Sequence, residues 1–320
     1  MNTIIIDGLA FALPLFIIAI GGIFSERSGI TNLALEGFLG FGAFFGAVMV
    51  MAFTGGSVSG VEVPMFFTAL IFAVIGGALF AMLHALLCIP FKANQVISGV
   101  VINILSAALT AFFTSQINTL LVGKPTNKFV LSVCQKFTVP GISKIPVLGA
   151  FFTDIYYYEP IIIVVALVAA YVLYKSRFGM RLRACGDNPH AVDAAGIDVA
   201  KTRFIAVMIS GGLSGLGGMC FAYSISASFS PSIYAGYGFL AIAALIFGNW
   251  KIGPTLGACL IFGFARAAGY QLAQTLGLPS TFSDVIMILP YVLTLLLLMF
   301  FSQNNRAPRA LGEIYDKGKR

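Results

Sequence analysis

The side chains able to do chemistry in this sequence are few, and most are amides, hydroxyls and lone carboxylates set among apolar residues. Glu36 in "NLALEGF" has Asn32 four residues before it, a spacing that puts both on one helical face. Asn94, Gln95, Ser98 and Asn103 gather at the start of another apolar run, where Asn94, Ser98 and Asn103 are read as sharing roughly one face. An amide donates and accepts hydrogen bonds at once, and an aromatic ring offers a stacking surface. Such groups are costly within a membrane and face a cavity or the interior of a helix bundle. Asn32, Glu36, Asn94, Gln95 and Asn103 are therefore candidates for lining a polar pathway, with Phe239 as an aromatic lining residue. The alternative for each is interhelical hydrogen bonding that fastens the bundle. For Glu36 an ion pair with Arg27 is a further alternative.

Hydrolytic chemistry is poorly served. "GLSG" (212–215) matches the Gly-x-Ser-Gly of rhomboid-type intramembrane proteases. Serine alone is a weak nucleophile, and those proteases draw their histidine base from a later span. Both histidines, His84 and His190, precede Ser214, so that dyad cannot be built. No G-x-x-x-x-G-K-[ST] loop occurs, so the chain does not bind ATP by that route. The five cysteines (88, 134, 185, 220 and 259) lack CxxC spacing and read as small buried apolar residues, without a metal site or disulfide framework. No catalytic residue is nominated. His84 reads as a buried structural histidine, and Arg266, near the outer end of its span, as a snorkelling side chain.

The elements that must position these residues are membrane helices. Only 10% of the 320 residues are charged while 59% are hydrophobic, and the mean hydropathy is +0.96. A soluble chain carries about 25% charged residues. Apolar windows of about 20 residues mark spans at 3–23, 30–53, 64–89, 95–117, 158–175, 203–225, 234–250, 252–271 and 283–302. The fold class is an all-α polytopic helix bundle of about 8–10 spans, with a broken or re-entrant helix allowed near 21–37. "MNTIIIDGLAFALPLFIIAIGG" has no Lys or Arg before its apolar run, unlike a cleavable secretion signal, and is expected to remain as a span. Residues 1–302 form the membrane domain, with a 118–157 loop and a 176–202 insert, and 303–320 form a basic tail.

Of the 19 Lys and Arg residues, 14 fall to one face: Arg27, Lys92, six within 175–203, Lys251 and five in the tail. The positive-inside bias makes that face cytoplasmic and the 118–157 loop, with the N-terminus, extracytoplasmic. Topology accounts for the basic excess, so nucleic acid is not an expected partner.

One stretch resists the membrane: "RACGDNPHAVDAAGIDVAKTR" (183–203). Locally it spells a helix of about two turns, with Asn188 or Asp187 as N-cap, Pro189 at the first helical position and Gly196 as the stop. So short a helix is unstable alone and must be held by its flanking spans or by a partner. Ala191, Ala194 and Ala195 allow close approach of another surface.

"SRFGMRLRACGDNPHAVDAAGIDVAKTRFIAVMISGGLSGLGG" (176–218) resembles the coupling-helix region of ABC-importer permeases of the branched-chain amino acid, ribose and nucleoside group. "GGIFSERSGITNLALEG" (21–37), "KANQVISGVVIN" (92–103) and "GYGFLAIAALIFGNWKIGPTLGA" (236–258) resemble blocks of the nucleoside and simple-sugar branch, in the same order. Gln95 and Asn249-Trp250 depart from that branch's pattern.

The resemblance implies a multi-pass permease subunit of the bacterial inner membrane that imports purine or related nucleosides. Simple sugars, riboflavin or another heterocyclic solute are the alternatives within the family, and an ion-gradient-driven carrier is the alternative outside it. It further implies a cytoplasmic ATPase that binds ATP and Mg, a second homologous permease as heterodimer partner and an extracytoplasmic binding lipoprotein, with no cofactor on this chain. That lipoprotein is expected to dock on 118–157 and 226–236. ATPase contact falls to Arg183, Gly186, Asp187, Asn188, Pro189, Ala194, Ala195, Gly196 and Ile197, with Arg181 and Asp193 on the polar rim.

Overall fold

A computed structural model describes residues 2–55, 63–131, 136–141, 148–232, 234–277 and 306–318, with isolated positions at 143, 288, 291, 292, 296 and 299. Among the described residues, ten α-helices follow in order. They are α1 (Asn2–Arg27), α2 (Leu35–Thr54), α3 (Val63–Cys88), α4 (Gln95–Val122), α5 (Tyr158–Lys175), α6 (Arg177–Asp187), α7 (Pro189–Ala194), α8 (Val199–Phe221), α9 (Tyr237–Phe247) and α10 (Ile252–Thr275). Seven of them, α1–α5, α8 and α10, are long and apolar enough to cross a membrane. At 1.5 Å per residue, the 26 residues of α1 reach about 39 Å, enough for a full crossing. The span expected at 283–302 lies outside the described residues, apart from isolated positions.

α8 and α1 form the centre. In each, 72% of the most apolar window is buried, against 28% in α4. Glycine makes that centre possible. A Cβ at Gly215 would strike the Ala73 carbonyl of α3, and one at Gly218 the Leu39 carbonyl of α2. The Gly211-x-x-x-Gly215 and Gly42-x-x-x-Gly46 pairs thus serve packing within this subunit. α4 and α5 present Ile104, Phe112, Leu167 and Val168 outward, which suits lipid.

Two expected spans are corrected. The stretch 234–250 is an 11-residue helix, α9, which covers only about 17 Å of a hydrocarbon core about 30 Å thick. It starts at Gly236 (φ 94°) and ends before Asn249 and Trp250, which both turn through positive φ. The second span starts at Leu35 instead of residue 30, because residues 28–34 leave α1 as turns and irregular chain. Asn32 is therefore not on a helix with Glu36. The Leu33 carbonyl of this irregular segment accepts from Asn103 Nδ2 (2.8 Å), and Gly37 in the first turn of α2 donates its N–H to Asn103 Oδ1 (2.7 Å), eight residues and about 12 Å along α4 from its start. Non-helical backbone thus runs well inside the helix bundle.

At the opposite end, short strands β1 (Phe129–Val130) and β4 (Ser228–Phe229) pair antiparallel, as do β2 (Lys136–Phe137) and β3 (Ile155–Tyr156). The first pair ties the 118–157 loop to the 226–236 segment, with Leu131 N–H on the Ala227 carbonyl at 2.7 Å. Both segments therefore belong to one surface.

Candidate functional site

Two places gather the nominated residues. The first is α7. Asn188 Oδ1 accepts the Ala191 N–H (3.0 Å), Pro189 takes the first helical position, and Gly196 (φ 78°) ends the turn. Each is the signal read from the sequence. Before α7, α6 is a separate helix capped by Ser176, whose Oγ accepts the Gly179 N–H at 3.0 Å. After it, Asp198 caps α8 through the Lys201 N–H at 2.9 Å. Three capped starts in 23 residues fold this insert into a compact platform.

Its two sides differ. His190, Ala191, Ala194, Ala195 and Gly196 are exposed, as are Asp187 and Asn188. Pro189 and Gly186 are buried beneath them, and Ile197 packs on a small cluster of Cys185, Val192 and Val199. Gly186 accepts the Ala310 N–H on its carbonyl (2.8 Å), and a Cβ there would meet the Arg27 carbonyl. Arg183 lies half-buried, with Nε on the Gly179 carbonyl (3.3 Å) and its guanidinium over the Tyr174 ring. Gly186, Pro189 and Ile197 hold the platform, while the alanines and Gly196 form its outer face. Two hollows, of about 480 and 310 Å³, flank Gly196 and Ile197. Burial pushes the Cys185 thiol above its ordinary value.

Basic residues expected on one face do collect here. Arg27 Nε donates to the Trp250 carbonyl at 3.0 Å, and Lys92 pairs with Asp316 at 2.9 Å. The sequence counts Arg203 only as one of the six basic residues within 175–203, because it reads as one more interfacial cation. It is 2% exposed and donates to the carbonyls of Ser28 (3.0 Å), Glu313 (3.2 Å) and Cys185 (3.4 Å). Two of these belong to the C-terminal ends of α1 and α6, where a helix dipole favours a cation. Trp250 Nε1 donates to the buried Glu26 carboxylate at 2.5 Å, a second contact that sequence spacing could not reveal.

The second place is the polar knot where chain 28–34 enters the bundle. Gln95 Oε1 accepts the Thr31 N–H (2.7 Å), Asn32 Nδ2 donates to Ser210 Oγ (2.8 Å), and Asn103 Nδ2 donates to the Leu33 carbonyl (2.8 Å). Backbone polar groups freed from a helix inside a membrane need such partners. The amides supply them. Asn94 is instead an exposed N-cap, with Oδ1 accepting from Val96 and Ile97. The expected common face of Asn94, Ser98 and Asn103 fails: nine positions at about 100° each make two and a half turns, so Asn103 points opposite to Asn94. Ser98 turns to His84 Nδ1 (2.9 Å), and His84 is fully buried, as a structural histidine should be.

Glu36 does not pair with Arg27. Its carboxylate accepts the N–H groups of Gly236 (2.5 Å) and Gly238 (2.7 Å), so it caps the half-length helix α9. Gly238 is required there, since a Cβ would meet the Glu36 backbone. Phe239, one residue on, is 48% exposed on α9. Arg266 does not snorkel either. Its guanidinium sits over Phe11 (4.4 Å) and Tyr270 (5.1 Å) and donates to Tyr237 Oη at 3.4 Å, because these rings offer a partner closer than the interface. Among the described residues no His, Cys, Asp or Glu cluster could hold a metal ion.

Residues 4–300 match the family model described as the branched-chain amino acid transport system / permease component. The guanosine ABC transporter permease protein NupQ of Bacillus subtilis is 40% identical over the whole of this chain and 98% of its own length. The nucleoside ABC transporter permease protein NupC of Lactococcus lactis is 37% identical, again over the whole chain and 98% of its own length. The guanosine ABC transporter permease protein NupP of Bacillus subtilis is 28% identical over 92% of this chain and 80% of its own.

Proposed function

The chain belongs to the family of branched-chain amino acid transport system permease components, and from that premise we propose that it forms half of a nucleoside pathway in an ATP-driven importer. It is a transporter subunit and not an enzyme, and it is a multi-pass protein of the bacterial cell membrane. The observation that carries the mechanism is α7: a capped, alanine-faced helix on a charged platform, at the same end as the basic residues. In this reading a cytoplasmic ATPase holds ATP and Mg and grips Ala194, Ala195 and Gly196, with Asp187 and Asn188 at the edge. Arg183, Gly186, Pro189 and Ile197 hold the helix from beneath.

Nucleosides are favoured because two full-length relatives bear names for guanosine or nucleoside transport. A heterodimer is favoured because Bacillus subtilis has two differently named guanosine permeases, NupQ and the longer NupP, both similar to this chain. An extracytoplasmic binding protein would dock on the surface where β1 meets β4. The pathway would pass the broken helix α9, with Phe239 beside it and Glu36 holding its start, since discontinuous helices mark solute sites in transporters. Asn32, Gln95 and Asn103 border it as scaffold, and Asn94 caps α4 outside it.

The test is uptake of radiolabelled guanosine by vesicles holding this chain, its partner permease, the ATPase and the binding protein. The expected result is uptake that requires ATP and is competed by nucleosides but not by glucose or riboflavin. Uptake by this chain alone under an ion gradient would refute the reading.

A further inference from the structure

The segment 306–318 has the composition of a solvated tail, yet it is bonded along its length to the platform that carries α7. Arg306 N–H donates to Asn249 Oδ1 (2.8 Å) in the turn after α9. Gly312 N–H donates to the Gly29 carbonyl (3.0 Å) beyond α1, and Gly312 itself sits at φ 80°, a conformation glycine tolerates best. The Glu313 carbonyl takes one arm of Arg203 on α8. The chain then passes under α7, where the Tyr315 ring packs on the Cys185–Val192–Val199 cluster and lies 5.2 Å from the His190 ring. Lys317 ends it, 3.5 Å from Asp193 of α7.

We propose that residues 306–318 form a strap that positions α7, so that a push on this six-residue helix reaches α1, α8 and the α9–α10 turn as one body. The proposal rests on the reading of α7 as the ATPase handle. A helix this short has almost no stability of its own, and within it only Pro189 and Val192 are buried. Val192 needs a floor, which Tyr315 extends. The exposed Lys317–Asp193 pair adds little, as surface ion pairs do. Tyr315 and the backbone bonds around Gly312 therefore carry the strap, and both are positioning residues.

Cys185 reports on the strap without any partner, being fully buried under Val192 and Tyr315. A chain with Cys88, Cys134, Cys220 and Cys259 replaced by Ala is placed in inside-out vesicles and treated with an impermeant maleimide. Tyr315→Ala and Gly312→Val should label about tenfold faster than the parent, and Tyr315→Phe at the parent rate. In the complete transporter, the first two variants should keep the ATPase bound yet lose guanosine uptake by about tenfold, while Tyr315→Phe transports normally. Equal labelling of all variants would overturn the strap. Faster labelling with undiminished uptake in an ATPase-bound complex would overturn its role in transmission. If no ATPase binds the parent chain, the reading of α7 has failed, and the labelling contrast still decides whether the strap exists.

Discussion

Replacing Glu36 by Gln separates a carboxylate that caps α9 from one that merely lines a cavity. The carboxylate accepts two backbone N–H bonds, at 2.5 and 2.7 Å. Bonds to a charged acceptor contribute about 1.5–3 kcal/mol each, so the pair is worth roughly 3–6. Gln keeps one acceptor, worth about 1 kcal/mol, and turns an NH2 donor toward the other N–H. The net loss is about 2–5 kcal/mol. In detergent, Glu36→Gln should lower the thermal midpoint by several degrees. Gly238→Ala should do the same by another route, since its Cβ meets the Glu36 backbone. Both changes dislodge one contact, so the double variant should lose less than the sum. Unchanged stability of Glu36→Gln, or full additivity, would refute the capping argument.

Three further outcomes follow from the same geometry. Arg203→Leu strands three carbonyls and should cost about 3–5 kcal/mol, whereas Arg203→Lys, with a single ammonium, should fall between; melting in detergent separates the three. Gly218→Leu should reduce the folded yield sharply while Gly253→Ala is tolerated, because the first faces the Leu39 carbonyl and the second open space; detergent-stable yield is the measure. Cys185 gains pKa from burial, so its contribution to stability is full below its ordinary value of 9.0 and declines as pH rises through and beyond it. Midpoints compared between pH 7 and 10 should fall more for the parent than for Cys185→Ala.

The features legible in the sequence were those set by local signals. α7 depends on Asn188, Pro189 and Gly196, which act within one turn, and the long spans follow from apolar length. α9 was read as a full crossing because hydropathy does not register where a helix starts, although Gly236 and Gly248 bracket it. A break near 21–37 is legible in the sequence, but its placement at 28–34 hides, because its polar groups are met by Gln95, Asn103 and Ser210, far away in sequence. The tail is the extreme case. Its charges suggest solvent, but its hold comes from backbone bonds at Ala310 and Gly312, which no side-chain pattern encodes.

The central claim, that α7 is the point where an ATPase drives this permease, is tested most directly by cross-linking. Cys replaces Ala195 on the exposed face of α7 in a chain otherwise free of cysteine, and a short maleimide–diazirine cross-linker, which couples to that thiol and inserts into any adjacent chain on illumination, is added to the complete transporter. The account predicts a product joining this chain to the ATPase, absent when Cys replaces Leu120 at the far end of α4. A product of equal yield at both positions, or none at Ala195 while guanosine uptake proceeds, would contradict it.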